Sequence, residues 1–427
     1  MPSPAPRLNM LAAAGAFART RWLQWRLRTR ADIERLHKRR LARMMRETIA
    51  PSPYYRDLGI GRFADLPVMD KTRLLANFEK LNRAGLTAER VRAALAAGED
   101  RLDGYVIGQS TGTSGNRGYY VISDAERFVW LGTIVAKTLP DALWRRHRVA
   151  LAMPGLSSLY KSASTGSRIA LGFFDLALGV ESWADRLADF APDTIVAPPK
   201  VLRSLAEGGR LGAAHIFSGA EVLDPLDRAA IESATGRRVR EIYMATEGLF
   251  GVGCRHGTLH LAEDAVAFEW ESIGTGRLRS PLITDFTRKA QVMARYRMND
   301  LLELSDAPCP CGSPLQAVAR IEGRQDDLFE LAAPGGALRM ITPDILRNAV
   351  VDADRSITDF RIVQTGPAAI MVSLDPALDP AVDERVRRSA AALFARLGLA
   401  EIEIAVKRGL DTPFDRKLRR VRREWRP

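Results

Sequence analysis

The feature that most restricts this chain is a change of texture after Gly108. Four short, continuously apolar runs, VALAM (149–153), TIVAP (194–198), HIFSGA (215–220) and REIYMAT (240–246), alternate with segments of helical character. Strands that are apolar on both sides must be covered on both faces, and helical connections join strands that run the same way. The expectation is an α/β fold with a largely parallel sheet. Residues 265–305 read differently: AVAFEWE, PLITDF and QVMARYR are strands separated by turns, which suits antiparallel pairing.

At 427 residues the chain is too long for one ordinary core. The candidate boundary is IEGRQDD, 321–327. We expect a large N-terminal domain over 1–322, with a helical lead-in over 1–100, then a hinge at 323–327 and a small mobile α+β lid over 328–427. The lid has strands FRIVQT, AIMVSL and IEIAVK and one amphipathic helix, 382–397. In the lead-in, residues 18–48 have helical periodicity, SPYY (52–55) breaks it, and Asp70 is placed to cap a following helix within 66–81.

Composition excludes several classes. The chain is 46% hydrophobic and 27% charged, which suits a folded globular protein. No apolar run reaches the roughly 18 residues of a membrane span. The opening LAAAGAFA lacks the Leu-rich core of a secretory signal, so the expected location is cytoplasmic. The net charge of +12 is concentrated in 18–45 and 416–426. Such a surface suits ATP, anionic lipid or an acidic carrier protein. Helix-turn-helix, RNA-recognition and basic-zipper patterns are absent from the sequence, so no nucleic-acid partner is expected.

Chemistry concentrates in a few motifs. Gln109-Ser110-Thr111-Gly112-Thr113-Ser114-Gly115 offers hydroxyls, flexible glycines and exposed N–H groups, the donors that phosphate oxygens need. Its spacing is not that of G-x-x-x-x-G-K-[ST]. Cys254-Arg-His256 and Cys309-Pro-Cys311 hold every cysteine of the chain. Three thiolates and one imidazole make a tetrahedral zinc set, with His260 as the substitute for His256.

The phosphate loop resembles S-S-G-T-T-G-K-P of the adenylate-forming superfamily, in the branch of phenylacetate–CoA ligases and coenzyme F390 synthetase. Asn116-Arg117 replaces Lys-Pro, so Arg117 would supply the cation. Ser218-Gly219-Ala220-Glu221 is similar to the family's S-G-A-E, near the adenine and acyl sites. Tyr243-Met244-Ala245-Thr246-Glu247-Gly248 resembles Y-G-x-T-E-G. The resemblance implies Thr246 on the α-phosphate, Glu247 holding Mg²⁺ and Tyr243 stacked on adenine. Arg295-Tyr296-Arg297-Met298-Asn299-Asp300 is similar to R-Y-R-x-G-D. Asp300 would bind both ribose hydroxyls, Arg297 joins the catalytic set, and Asn299 would take the left-handed geometry of the usual glycine. Gly323-Arg324-Gln325-Asp326-Asp327 resembles the hinge G-R-x-D-D, with Arg324 at the ribose and Asp326 as pivot. In Pro413-Phe-Asp-Arg-Lys417-Leu-Arg-Arg-Val421, Lys417 matches the lysine that reaches the α-phosphate, with Arg416 in place of glycine.

These matches run in order over about 310 residues. They imply a ligase that converts a small carboxylic acid and ATP into acyl-AMP and pyrophosphate. The acyl group would then pass to the thiol of CoA or of a phosphopantetheine on an acyl carrier protein. The branch leaves two other outcomes open: AMP passed to a phenolic hydroxyl, or the activated group passed to a nitrogen nucleophile. Residues 155–180 do not match the aryl-acid pattern. A hydroxylated aromatic acid is the expected substrate, with Phe173 and Phe174 in the core.

Overall fold

The structure is a computed structural model describing residues 6–109, 118–154, 168–274, 276–399, 401–410 and 417–426. The helix expected over 18–48 is two helices, α1 (Pro6–Arg26) and α2 (Arg30–Met44). Thr29 divides them: its side chain accepts from the Asp32 N–H, and the Asp32 carboxylate accepts from the Thr29 N–H at 3.0 Å. This reciprocal cap satisfies backbone donors that a continuous helix would have bonded internally. α3 (Pro53–Asp57) begins within SPYY, with Ser52 just before it and Pro53 as its first residue. Asp70 caps α4 (Lys71–Ala76), accepting from the Arg73 N–H at 2.8 Å. The expected helix stops at Asn77, whose side chain donates to the Arg73 carbonyl at 2.9 Å, and resumes as α5 (Phe78–Leu81). After α6 (Ala88–Ala96) come three antiparallel strands, β1 (Arg101–Leu102), β2 (Tyr105–Gln109) and β3 (Tyr119–Ile122), then α7 (Asp124–Thr138). α1 lies against α7 so closely that a Cβ at Gly132 would sit 2.0 Å from the Ala13 carbonyl oxygen; only glycine fits there.

The main sheet has two halves. β4 (His147–Met153), β5 (Ile169–Asp175), β6 (Thr194–Ala197), β7 (His215–Ser218) and β8 (Val239–Ala245) are parallel, in the order β5-β4-β6-β7-β8. Their connections include α8 (Ala184–Phe190), α9 (Pro199–Glu207) and α10 (Pro225–Thr235). Trp183, Ile195, Leu202 and Ile231 form the core between them, and Phe174 belongs to it.

From β8 the sheet continues antiparallel through β9 (Gly248–Gly253), β10 (Leu259–Leu261), β15 (Ala317–Arg324), β14 (Asp300–Ser305), β12 (Leu278–Asp285) and β11 (Val266–Ser272). Only Tyr296–Arg297, β13, of the QVMARYR segment is a strand. Arg295 has φ 47°, and this stretch bonds to the lead-in instead: Val292 N–H to the Leu81 carbonyl and Met69 N–H to that of Arg295, both at 2.9 Å.

The C-terminal segment has its own core. β16 (Phe329–Ala332), β17 (Leu338–Ile341) and α11 (Pro343–Val351) precede a four-stranded sheet with α12 (Ala381–Arg396). That sheet runs β20 (Glu403–Arg408), β19 (Ala369–Leu374), β18 (Phe360–Gly366), β21 (Val421–Arg423). Phe329, Phe360, Val386 and Phe394 are fully buried here. A large α/β domain and a smaller C-terminal one result. Among the described residues no helix is long and apolar enough to cross a membrane.

Candidate functional site

Parallel strands end in a row of loops, and ligands of open α/β sheets bind beyond their carboxyl ends. A cleft of about 400 Å³ lies there, between the large sheet and the small domain. Ala220 and Glu221 follow β7, and Ala220 holds a left-handed φ of 67°. Thr246 and Glu247 form the turn from β8 to β9. Asp300 opens β14 and is in register with Arg324 at the end of β15. Asp326 lies in the short helical turn just after it, and Lys417 arrives from the C-terminal segment.

The cleft therefore gathers Ala220, Glu221, Tyr243, Thr246, Glu247, Arg297, Asp300, Arg324, Asp326 and Lys417. Gly219 lines an adjoining apolar cavity that shares Ala220, Thr246 and Lys417 with the cleft. Ser110, Thr111, Gly112, Thr113, Ser114, Gly115 and Arg117 lie outside the described residues.

The electrostatics favour a bound cation and a polyanion together. Burial raises the carboxyl pKa of Glu247, and neighbouring Asp300 adds to the rise although the Tyr296 hydroxyl bonds to Glu247. Asp300 is raised chiefly by burial and is drawn back by Arg324 and by the Tyr243 hydroxyl. Two crowded carboxylates at a cleft wall suit a hard divalent cation. Burial and then Arg324 lower the Lys417 ammonium, while Glu221, Asp300 and Glu247 pull it upward.

Several side chains differ from expectation. The Tyr243 hydroxyl donates to Asp300 at 2.7 Å and its ring packs on Phe250, 5.3 Å between centroids. Arg297 is committed to Glu271 through bonds of 2.8 and 2.6 Å. The left-handed residue of the R-Y-R motif is Arg295, not Asn299. Asn299 instead donates to Asp326 at 2.7 Å, tying β14 to the turn after β15. One participant was missed in the sequence: Lys200 of α9, whose Nζ stands 3.1 Å from Glu221 with both side chains under 5% exposed. Its only signal is a lysine inside the apolar stripe PKVLRSL.

A second cluster lies in the antiparallel half. Sγ of Cys254, Cys309 and Cys311 and a ring nitrogen of His260 all lie within 4.8 Å of one another. His260, not His256, completes the set. His256 is exposed, with Nε2 accepting from Arg255 at 3.1 Å, while His260 is held on β10 with Nδ1 against the Leu315 carbonyl at 3.1 Å. That bond leaves Nε2 free to ligate, 3.3 Å from the Cys311 sulfur. Cys254 and Cys309 are 3.7 Å apart, close to the ~3.8 Å that two ligands of a tetrahedral ion with Zn–S near 2.3 Å would show.

No protein-family model and no curated protein matches the chain. Solved structures do. A 2-hydroxyisobutyryl-CoA ligase in the postadenylation state, in complex with R3-HIB-AMP, is similar over 90% of this chain and 87% of its own, with TM-score 0.64 and 19% identity. This is the adenylate-forming ligase fold. The same ligase in its thioesterification state, with 2-HIB-AMP and CoA, has TM-score 0.51 at 19% identity over 90% and 88% of the two chains. An ATP-bound RpMatB-BxBclM chimera has TM-score 0.52 at 16% identity, covering 70% of this chain and 64% of that one.

Proposed function

We propose that the chain is an ATP-dependent acid–thiol ligase that activates a carboxylic acid as its acyl-AMP. The observation that carries this reading is the meeting of Thr246, Glu247, Asp300 and Arg324 of the large domain with Lys417 of the small one in a single cleft. The acid's carboxylate oxygen attacks the α-phosphorus of ATP, and the bond to the pyrophosphate oxygen breaks. Such a step needs positioning and charge neutralisation more than proton transfer. Asp300 accepts from the ribose hydroxyls, with Arg324 beside it. Thr246 donates to an α-phosphate oxygen, and Lys417 offsets the charge that gathers there. Glu247 would hold the Mg²⁺ that accompanies ATP, which supplies positive charge at the triphosphate. Ser110–Gly115 and Arg117 would hold the leaving pyrophosphate.

The boundaries proposed are 1–322 for the large domain, 323–327 for the hinge and 328–427 for the lid. Rotation about Asp326 withdraws Lys417 and admits the thiol of CoA or of a carrier-bound phosphopantetheine. Sulfur bonds to the acyl carbon, AMP leaves, and the thiol proton is released. Cys254, His260, Cys309 and Cys311 would hold a structural Zn²⁺ that fixes the ends of the antiparallel strands.

The test is pyrophosphate exchange with ATP, Mg²⁺ and a panel of carboxylic acids, and AMP release with and without CoA. Exchange without CoA and AMP release that needs CoA are expected. Glu247→Ala should abolish exchange. Lys417→Ala should slow it while sparing thioester formation from supplied acyl-AMP. Full exchange by the Lys417 variant, or AMP transfer to a phenol in place of a thioester, would overturn the assignment.

A further inference from the structure

The cavity that adjoins the cleft has a shape of its own. It measures about 570 Å³ and opens at one end onto Thr246 and Lys417. From there it follows one face of the parallel sheet. Val149, Leu151 and Met153 of β4 all line it, as do Thr194 and Val196 of β6. Alternate residues share a face, so the cavity runs along these strands rather than across their ends. Four residue steps on β4 are about 13 Å. α7 and α1 form the roof, and the far end reaches Phe17 of α1, Ala142 and Arg168. The covalent bond length of about 1.5 Å advances an extended chain by about 1.3 Å per carbon, so roughly ten carbons span that distance.

Among the described residues the polar side chains along it are few. Gln109, Thr246 and Lys417 stand at the reacting end, and exposed Arg168 at the other. Between them the two described hydroxyls are already spent. Thr138 donates to the Ile134 carbonyl at 2.8 Å, and Thr194 donates to Asp193 at 2.7 Å. A hydroxylated aromatic acid would set its hydroxyl among mostly apolar walls, Trp130, Phe17 and Phe217 among them, where the Thr138 and Thr194 hydroxyls already donate elsewhere, at a desolvation cost. It would also underfill the space, since a benzene-sized ligand is held in about 150 Å³.

Resting on the adenylation reading above, we propose that the acid activated here is a long-chain apolar carboxylic acid, a fatty acid of roughly ten or more carbons. Its carboxylate lies at Lys417 and its chain runs along the β4–β6–β7–β8 face beneath α7 and α1. The first helix is then part of the substrate site.

The test uses the full chain and saturated fatty acids of four to sixteen carbons, beside 4-hydroxybenzoate and a hydroxycinnamate. Pyrophosphate exchange should give a kcat/KM that rises about fourfold per methylene until the cavity is filled, then levels. Ala14→Phe, on the exposed side of α1 where it lines the cavity, should lower the hexadecanoate-to-octanoate ratio at least tenfold. Ala142→Phe at the far end should do the same and serves if the first variant folds poorly. Exchange confined to the aromatic acids, or a flat dependence on chain length, overturns the proposal while leaving adenylation intact. Calorimetric titration with octanoate, dodecanoate and hexadecanoate in turn, without ATP, separates the other failure. Length-dependent binding with no exchange from any acid supports the cavity assignment and removes the adenylation reading. Absence of both binding and exchange overturns the proposal as well.

Discussion

Asp227 and Arg420 tie the two domains together beside the cleft, and breaking them isolates what the closed arrangement does. Asp227 lies in the first turn of α10 with its side chain 1% exposed. It accepts from Arg420 at 2.7 and 2.9 Å and from Arg203 at 3.1 Å. Arg420, three residues beyond Lys417 and 10% exposed, also donates to Asp359 of the small domain at 2.8 Å. A buried pair broken from one side costs about 3–5 kcal/mol because the remaining charge stays desolvated. Asp227→Asn keeps the shape and one acceptor, so the lower figure applies. That cost falls on the arrangement in which the domains meet. About 3 kcal/mol lowers its population against open arrangements by about 100-fold. Pyrophosphate exchange should fall by one to two orders of magnitude, while thioester formation from supplied acyl-AMP stays within threefold. A dye pair across the two domains should report a larger mean separation. Arg420→Gln should behave alike, and the double variant should be far from additive. Exchange within threefold of the parent, or equal loss in both half-reactions, would refute the reasoning and reduce the pair to a fold-stabilising contact.

Three further outcomes are expected. Lys200→Met leaves the buried Glu221 carboxylate without its partner at 3.1 Å, so urea unfolding should show a loss of about 3–5 kcal/mol, with more than half recovered in Lys200→Met/Glu221→Gln. Additive losses in that pair would contradict the coupling. Purified protein should contain about one equivalent of zinc by elemental analysis; Cys309→Ser and His260→Ala should lose it and His256→Ala should keep it, whereas the reverse result for the two histidines would reject the geometry in the antiparallel half. Burial raises the Glu322 carboxyl from its ordinary 4.5 to about 7, against the pull of Arg320. Ionising it therefore costs more in the folded chain, so its contribution is fully favourable below pH 4.5 and is lost as the pH climbs to 7, by about 3 kcal/mol. Glu322→Gln should flatten that fall in urea midpoints between pH 5 and 7.5, and parallel profiles for the two proteins would exclude the assignment.

Elements with one dominant local signal were legible. The four apolar runs became β4, β6, β7 and β8 within a residue or two, because buried parallel strands announce themselves as unbroken apolar stretches. Asp70 was legible as a cap for the same local reason. What failed depended on partners distant in the chain. The 18–48 helix broke because Thr29 and Asp32 satisfy each other. QVMAR lost its strand to the lead-in, about 200 residues earlier, which supplies its backbone partners. The choice between His256 and His260 turned on the Leu315 carbonyl, which no spacing rule contains. Lys200 was invisible because a lysine in an apolar stripe has meaning only once its carboxylate is known. The apolar cavity was hidden for a related reason: α1, far earlier in the chain than β4 to β8, helps to line it.

The position of the cleft follows from two pairings in one sheet. β8 is the last strand of the parallel half and pairs antiparallel with β9, so the chain must reverse immediately after Ala245. Thr246 and Glu247 are that reversal, which brings a hydroxyl and a carboxylate to the carboxyl edge where the strand ends leave room for a ligand. The β14–β15 ladder supplies the rest. It sets Asp300 opposite Arg324, with irregular steps between Leu301 and Leu302 and between Glu303 and Leu304. A strand shifted by one residue turns every side chain to the other face. Slipping β15 by one would remove Arg324 from Asp300 and would also displace Asp326, which Asn299 holds from the adjoining end of β14. One register therefore fixes both the Asp300–Arg324 pair and Asp326, and the proposed catalytic and conformational parts cannot vary independently. An insertion of a single residue in β15, away from the cleft, should for that reason impair both half-reactions together, in contrast to the selective effect of Asp227→Asn.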